Sequence, residues 1–221
     1  MFLGDQFPNF KANTTIGQID FHDWIGSSWA VLFSHPSDFT PVCTTELARV
    51  VKLMPEFTKR NVKVLGISCD SVESHIEWCK DIRYYAGCNE DEIFPYPIIE
   101  DGDRTIAKKL GMLDKDELDS KGVPLGARAV FIIDPNKKYR LSILYPATTG
   151  RNFNEILRVI DSLQMTDKNR VATPADWKVG DECMVLPAVS DAELKKSFPQ
   201  VNVLQVPSGK TYLRKTPCPK M

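Results

Sequence analysis

The chain has 221 residues, with 28 basic and 29 acidic side chains and a formal net charge of −1. That length suits one large domain, or one domain with an appendage, and ample core. So even a balance gives no electrostatic reason to expect nucleic acid or an anionic membrane surface as a partner. No basic and apolar leader opens the sequence, and no apolar run approaches the roughly 20 residues of a membrane span. The expectation is a cytoplasmic protein with no stable membrane association.

In chain order, apolar and β-branched runs predict buried strands at Trp29–Ser34, Val62–Ser68, Ala127–Ile133 and Arg140–Tyr145. Asp134-Pro135-Asn136 is turn chemistry, so the last two strands should form a hairpin. Helical spacing of Leu47, Val50, Val51, Met54 and Phe57 predicts a helix over 43–60, which Pro55 should kink or weaken. A second helix should start after Ser71 as N-cap. A short one should end at Gly111, where glycine permits a left-handed cap. A third long helix places Phe153, Ile156, Leu157, Ile160 and Leu163 on one face. Strands alternating with helices imply an α/β fold with a central mixed sheet. After Gln164 the sequence turns polar and proline-rich, so the expected domains are 1–165 and a small C-terminal extension, 166–221.

The six cysteines, at 43, 69, 79, 88, 183 and 218, are irregularly spaced and contain no C-x-x-C. Reduced thiols fit that pattern better than a disulfide framework. Cys43 stands apart. Thr40 can cap a helix and Pro41 can take its first position, where the missing N–H costs nothing. Cys43 then lies in the first turn, where orphan N–H groups and the positive end of the helix dipole favour an anion. A thiolate is such an anion, and it is the nucleophilic form of cysteine. Position alone leaves two readings open, a reactive thiolate and a small buried core residue. Arg128 at a strand start, Glu46 on a helix and Arg151 at a helix start read, as bare sequence, as surface charges. His35 can be a functional donor or an ordinary strand-end histidine. His75 and Cys79 share a helix face, but two ligands do not make a metal site.

At this point a resemblance becomes specific. Pro36-x-x-x-Thr40-x-x-Cys43 matches the active-site motif of the peroxiredoxins, and "FSHPSDFTPVCTTEL" closely resembles their 1-Cys subgroup. "YPATTGRNFNEILRV", "DWKVGDECMVLP" and "SGKTYLRKTPCP" are similar to the same subgroup, so the likeness spans the chain. It implies a thioredoxin-like fold and reduction of hydrogen peroxide and alkyl hydroperoxides without a cofactor or metal. It implies Cys43 as the peroxidatic cysteine, Thr40 as a hydroxyl donor, Pro36 as a shield against water, and Arg128 as the cation beside thiolate and peroxide. Glu46 would orient that arginine, Arg151 would sit nearby, and His35 is a further candidate. Cys183 and Cys218 do not match the V-C-P context of a resolving cysteine. The resemblance therefore implies an external thiol reductant, glutathione or a thioredoxin-type protein, and a homodimer with the extension at the contact.

Some 1-Cys relatives also hydrolyse phospholipids through a G-x-S-x-G serine with a His and an Asp. Here the stretch is Gly26-Ser27-Ser28-Trp29-Ala30, and His22 is in place. Ala30 replaces the second glycine and Asn136 stands where the acid should be. An asparagine cannot stabilise an imidazolium as a carboxylate does.

Overall fold

The computed structural model describes residues 1–89 and 91–220. In chain order the elements are β1 (Lys11–Thr14), β2 (Gly17–Asp20), α1 (Phe21–Ile25), β3 (Trp29–Ser34), α2 (Pro41–Lys59), β4 (Val62–Ser68), α3 (Val72–Ala86), β5 (Ile98–Glu100) and α4 (Thr105–Leu110). There follow β6 (Leu113–Leu118), β7 (Pro124–Gly126), β8 (Arg128–Ile133), β9 (Tyr139–Tyr145), α5 (Phe153–Lys168), β10 (Val171–Ala172), β11 (Cys183–Val185), α6 (Asp191–Ser197), β12 (Asn202–Val203) and β13 (Arg214–Thr216). Two compact units divide them, Met1–Phe153 and Asn154 onward.

The first unit is built on a seven-stranded sheet in the order β2-β1-β5-β4-β3-β8-β9. β3, β4 and β5 run parallel, while β8 and β9 form the expected antiparallel hairpin, with a bulge between Ile132 and Ile133. The sheet is thus mixed. β3 and β8 are buried along their whole length, which is why they read as continuous apolar runs rather than alternating ones. On one face, Phe7, Phe21, Ile25, Ala30, Leu32, Leu65, Ile106, Leu110 and Phe131 form a single apolar cluster. On the other, the Phe33 ring meets Tyr96 and Phe153 edge-on, and the Tyr96 hydroxyl donates to the Leu47 carbonyl of α2 at 2.9 Å.

α2 continues through Pro55 as one helix, Pro41–Lys59. Pro55 is exposed, so water can reach the carbonyl that its ring deprives of a donor. Gly111 adopts the left-handed cap at φ 67° and Ser71 accepts from the Ser74 N–H, both as the sequence predicts.

The second unit holds most of α5, a four-stranded antiparallel sheet in the order β10-β11-β13-β12, and α6. Its core gathers Met165, Val171, Trp177 and Cys183, with Val185, Val189 and Leu194 forming a second small cluster. Among the described residues no helix is long and apolar enough to cross a membrane.

Candidate active site

The site lies where β3 ends and α2 begins. β3 delivers Ser34, His35 and Pro36, all buried. The Ser34 hydroxyl donates to the Ala127 carbonyl at 2.6 Å and accepts from the Ala129 N–H, fastening this strand end to the start of β8. The chain then turns at Phe39, which takes a left-handed φ of 52°, and enters α2 at Thr40.

Thr40 sits at the N-cap in extended conformation and Pro41 takes the first helical position, so Cys43 is the third. The first helical bond runs from the Thr44 N–H to the Thr40 carbonyl. The N–H groups of Val42 and Cys43 therefore precede the ladder and are available to an anion at the helix start. The Thr40 hydroxyl does not cap the helix. It donates to the Ser37 carbonyl at 2.9 Å, which leaves its oxygen able to accept.

Cys43 is completely buried and belongs to a charged cluster. Arg128 Nη1 lies 3.4 Å from Cys43 Sγ and 2.8 Å from Glu46 Oε2. Arg128 Nε donates to the Ala147 carbonyl at 2.7 Å, which fixes the guanidinium plane. Glu46 is braced from its other side by Arg151, through Nε at 2.9 Å, Nη2 at 2.7 Å and the backbone N–H at 2.6 Å. Arg151 also donates to the Ala129 carbonyl, and its guanidinium stacks over Phe33 and Phe153. Burial pushes the Glu46 carboxyl up, but Arg151 and then Arg128 outweigh it and hold it below the usual carboxylate range. The cluster thus holds two cations, one anion and a thiol.

The bare-sequence reading of Glu46, Arg128 and Arg151 as surface charges is corrected by this geometry, since all three are buried. Glu46 points inward because two arginines from distant strand and loop segments meet it there. Arg151 precedes α5 rather than opening it.

His35 belongs to a second polar cluster, centred on Asp38. Asp38 accepts from His35 Nε2 at 2.8 Å, His75 Nδ1 at 2.7 Å and the Ser74 hydroxyl at 2.8 Å. Its own N–H donates to Asp70 Oδ2. His75 Nε2 lies 3.1 Å from the Ile99 carbonyl oxygen. Burial pushes Asp38 up, but the bonds from His35 and His75 outweigh it and hold the carboxyl far below the ordinary range. Burial, opposed by Asp38, lowers His35. Asp38 thereby ties the loop ahead of Cys43 to α3. The helix-face pair of His75 and Cys79 is not used as a pair, because His75 turns to Asp38. A signal existed in the spacing of His35, Asp38 and His75, but only folding brings residue 75 to the loop.

Burial pushes Cys69 up to about 11 and Cys79 up to about 12, and it raises Cys88 as well. Ser28 donates to Asn61 Oδ1 at 3.0 Å, and His22 Nε2 bonds the Phe7 carbonyl at 2.8 Å. Those partners leave the Ser28–His22 hydrogen bond of a hydrolase unmade.

Comparison with known proteins places the chain in a family. Residues 3–142 match the AhpC/TSA family, and residues 162–200 match the C-terminal domain of 1-Cys peroxiredoxin. The chain is 62% identical to the peroxiredoxin-6 of Bos taurus over 220 residues, spanning 99% of this chain and 98% of that protein. It is 61% identical to that of Homo sapiens, with 99% and 98% covered. Among solved structures, a cysteine-to-serine mutant of the peroxiredoxin 6 of Arenicola marina is 60% identical, with a TM-score of 0.98 over 100% of both chains. A yeast mitochondrial 1-Cys peroxiredoxin is 46% identical, with a TM-score of 0.87 over 98% of this chain and 99% of that one. The thioredoxin-like mixed α/β fold expected from the sequence is thereby borne out, and the chain belongs to the AhpC/TSA family of thiol-dependent peroxidases, the peroxiredoxins, in its 1-Cys branch.

Proposed function

We propose that Cys43 is the peroxidatic residue of this thiol peroxidase and that hydrogen peroxide and small alkyl hydroperoxides are its substrates. The observation that carries this reading is the 3.4 Å approach of Arg128 to the Cys43 sulfur, with the guanidinium held by Glu46 and Ala147. A fixed, permanently charged donor beside a thiol at a helix start favours the thiolate.

The Cys43 sulfur attacks one peroxide oxygen in line, and the O–O bond breaks. Sulfur is oxidised to the sulfenic acid, and hydroxide or alkoxide departs and takes up a proton. Negative charge shifts from sulfur to the leaving oxygen. Arg128 and the first-turn N–H groups are preorganised around that charge, so they bind the transition state better than the ground state. Thr40 accepts from the peroxide hydroxyl, since its own proton is committed to Ser37. Buried Pro36 keeps water from the sulfur.

The sulfenic acid is returned to thiol by an external thiol, glutathione or a thioredoxin-type protein. The yeast relative, whose thiol resolution runs through glutathione/thioredoxin systems, supports that choice. Six free thiols fit a reducing compartment, and we assign the protein to the cytoplasm. We further assign residues 1–165 to the peroxidase domain and residues 166–221 to an extension at the contact of a homodimer. Peroxide consumption with glutathione as donor tests the assignment. Wild type should turn over rapidly and Cys43→Ser should lose that rapid turnover; turnover at the wild-type rate in Cys43→Ser would refute it.

A further inference from the structure

The second unit contains two thiols that the peroxidase reaction does not use. β11 and β13 pair antiparallel with Cys183 opposite Thr216. Side chains alternate along a strand, so a residue two beyond Thr216 projects to the same face. That residue is Cys218. Pro217 and Pro219 flank it and bias its backbone toward extended conformation. Cys218 packs on the cluster of Met165, Val171, Trp177 and Cys183. The Cys183 and Cys218 thiols are neighbours there. Cys183 is fully buried, whereas Cys218 is half-buried. One sulfur can meet a small oxidant, and the other waits behind it.

We propose that Cys183 and Cys218 form a dithiol–disulfide redox site, separate from Cys43, that takes peroxide as its oxidant. Cys218 attacks a peroxide oxygen, the O–O bond breaks, and one water leaves with the thiol proton, giving a sulfenic acid on Cys218. The Cys183 sulfur then displaces hydroxide from that sulfur, and its proton departs with the hydroxide as a second water. Two thiols are oxidised to one disulfide, and hydrogen peroxide is reduced to two waters. The product clasps the C-terminal segment to β11. An external thiol reopens it by exchange.

Burial, and next the neighbouring Cys218 thiol, push Cys183 up to about 11. It is therefore a poor first nucleophile, and closure lags behind oxidation of an activated cysteine. The clasp responds to excess peroxide, not to the first equivalent.

The test is peptide mapping under non-reducing conditions, after excess hydrogen peroxide without a thiol donor, followed by alkylation. The full chain should yield a peptide pair linked through Cys183 and Cys218, two hydrogens lighter than the free pair. Cys43→Ser should yield the same pair, which separates this site from the peroxidatic one. Cys218→Ser, altered at the half-buried position so that the core is spared, should lose the linked pair while keeping wild-type peroxide turnover. The proposal is overturned if both thiols remain alkylatable once Cys43 has reached the sulfinic acid. A link from Cys218 to Cys43 or to a second chain would overturn it equally.

Discussion

Arg128 joins a thiol, a carboxylate and a backbone carbonyl through one planar group, and this sets what its substitution should do. A lysine could supply the charge but not the fork that holds Cys43, Glu46 and Ala147 together. Arg128→Met should lower kcat/KM for peroxide by about 10²–10³, the usual loss for one preorganised donor. Stopped-flow peroxide consumption measures it; an unchanged value would remove Arg128 from the mechanism. Glu46 acts through the arginines. Glu46→Gln leaves two buried guanidinium groups without their anion, so stability should fall by about 3–5 kcal/mol, read from urea denaturation. These residues show the limit of the sequence. Cys43, Thr40 and Pro36 form a local motif legible from eight positions. Glu46 and Arg151 lie 105 residues apart, and only the fold shows that both are buried.

At the scale of elements, the first turn of α2 is held on two sides. Asp38 fastens the preceding loop to α3, and Ser34 fastens the end of β3 to β8. Gly126, at the end of β7, lies where an added Cβ would stand 3.0 Å from the His35 carbonyl oxygen. Gly126→Ala must push that backbone away, with an overpacking cost of about 1–3 kcal/mol. Because His35 adjoins Pro36 and Arg128 follows Gly126 by two residues, peroxide turnover should fall with stability. Thermal denaturation and turnover on one preparation would check both, and a fully stable, fully active variant would contradict it. The long strands β3 and β4 were legible because stretches of six or seven residues dominated by apolar and β-branched side chains have few other readings. β1, β2 and β5 were not, since runs of only three or four residues are indistinguishable from loop until a partner strand is known.

At the scale of the whole molecule, buried titratable groups make the protein acid-sensitive in a defined order. Burial depresses His35 below its ordinary value near 6.5. The unfolded chain then takes up a proton that the folded chain refuses, so stability is present above about pH 6.5 and declines as pH falls below it. Asp38 and Glu46, both depressed on balance, lose their contribution only further down, as pH drops through the ordinary carboxylate range near 4. The melting temperature should fall in two stages between pH 7 and pH 3. His35→Asn should flatten the upper stage, and an unaltered upper stage would assign that loss to another group. The homodimer assignment predicts twice the chain mass by sedimentation equilibrium, and the mass of one chain when residues 166–221 are removed.

The central claim is that Cys43 alone meets peroxide first. Its most direct test is peptide mass spectrometry after one equivalent of hydrogen peroxide, with a sulfenic-acid trap present. A trapped adduct is expected on Cys43 and on none of the other five cysteines. An unmodified Cys43, with oxidation elsewhere or nowhere, would contradict it.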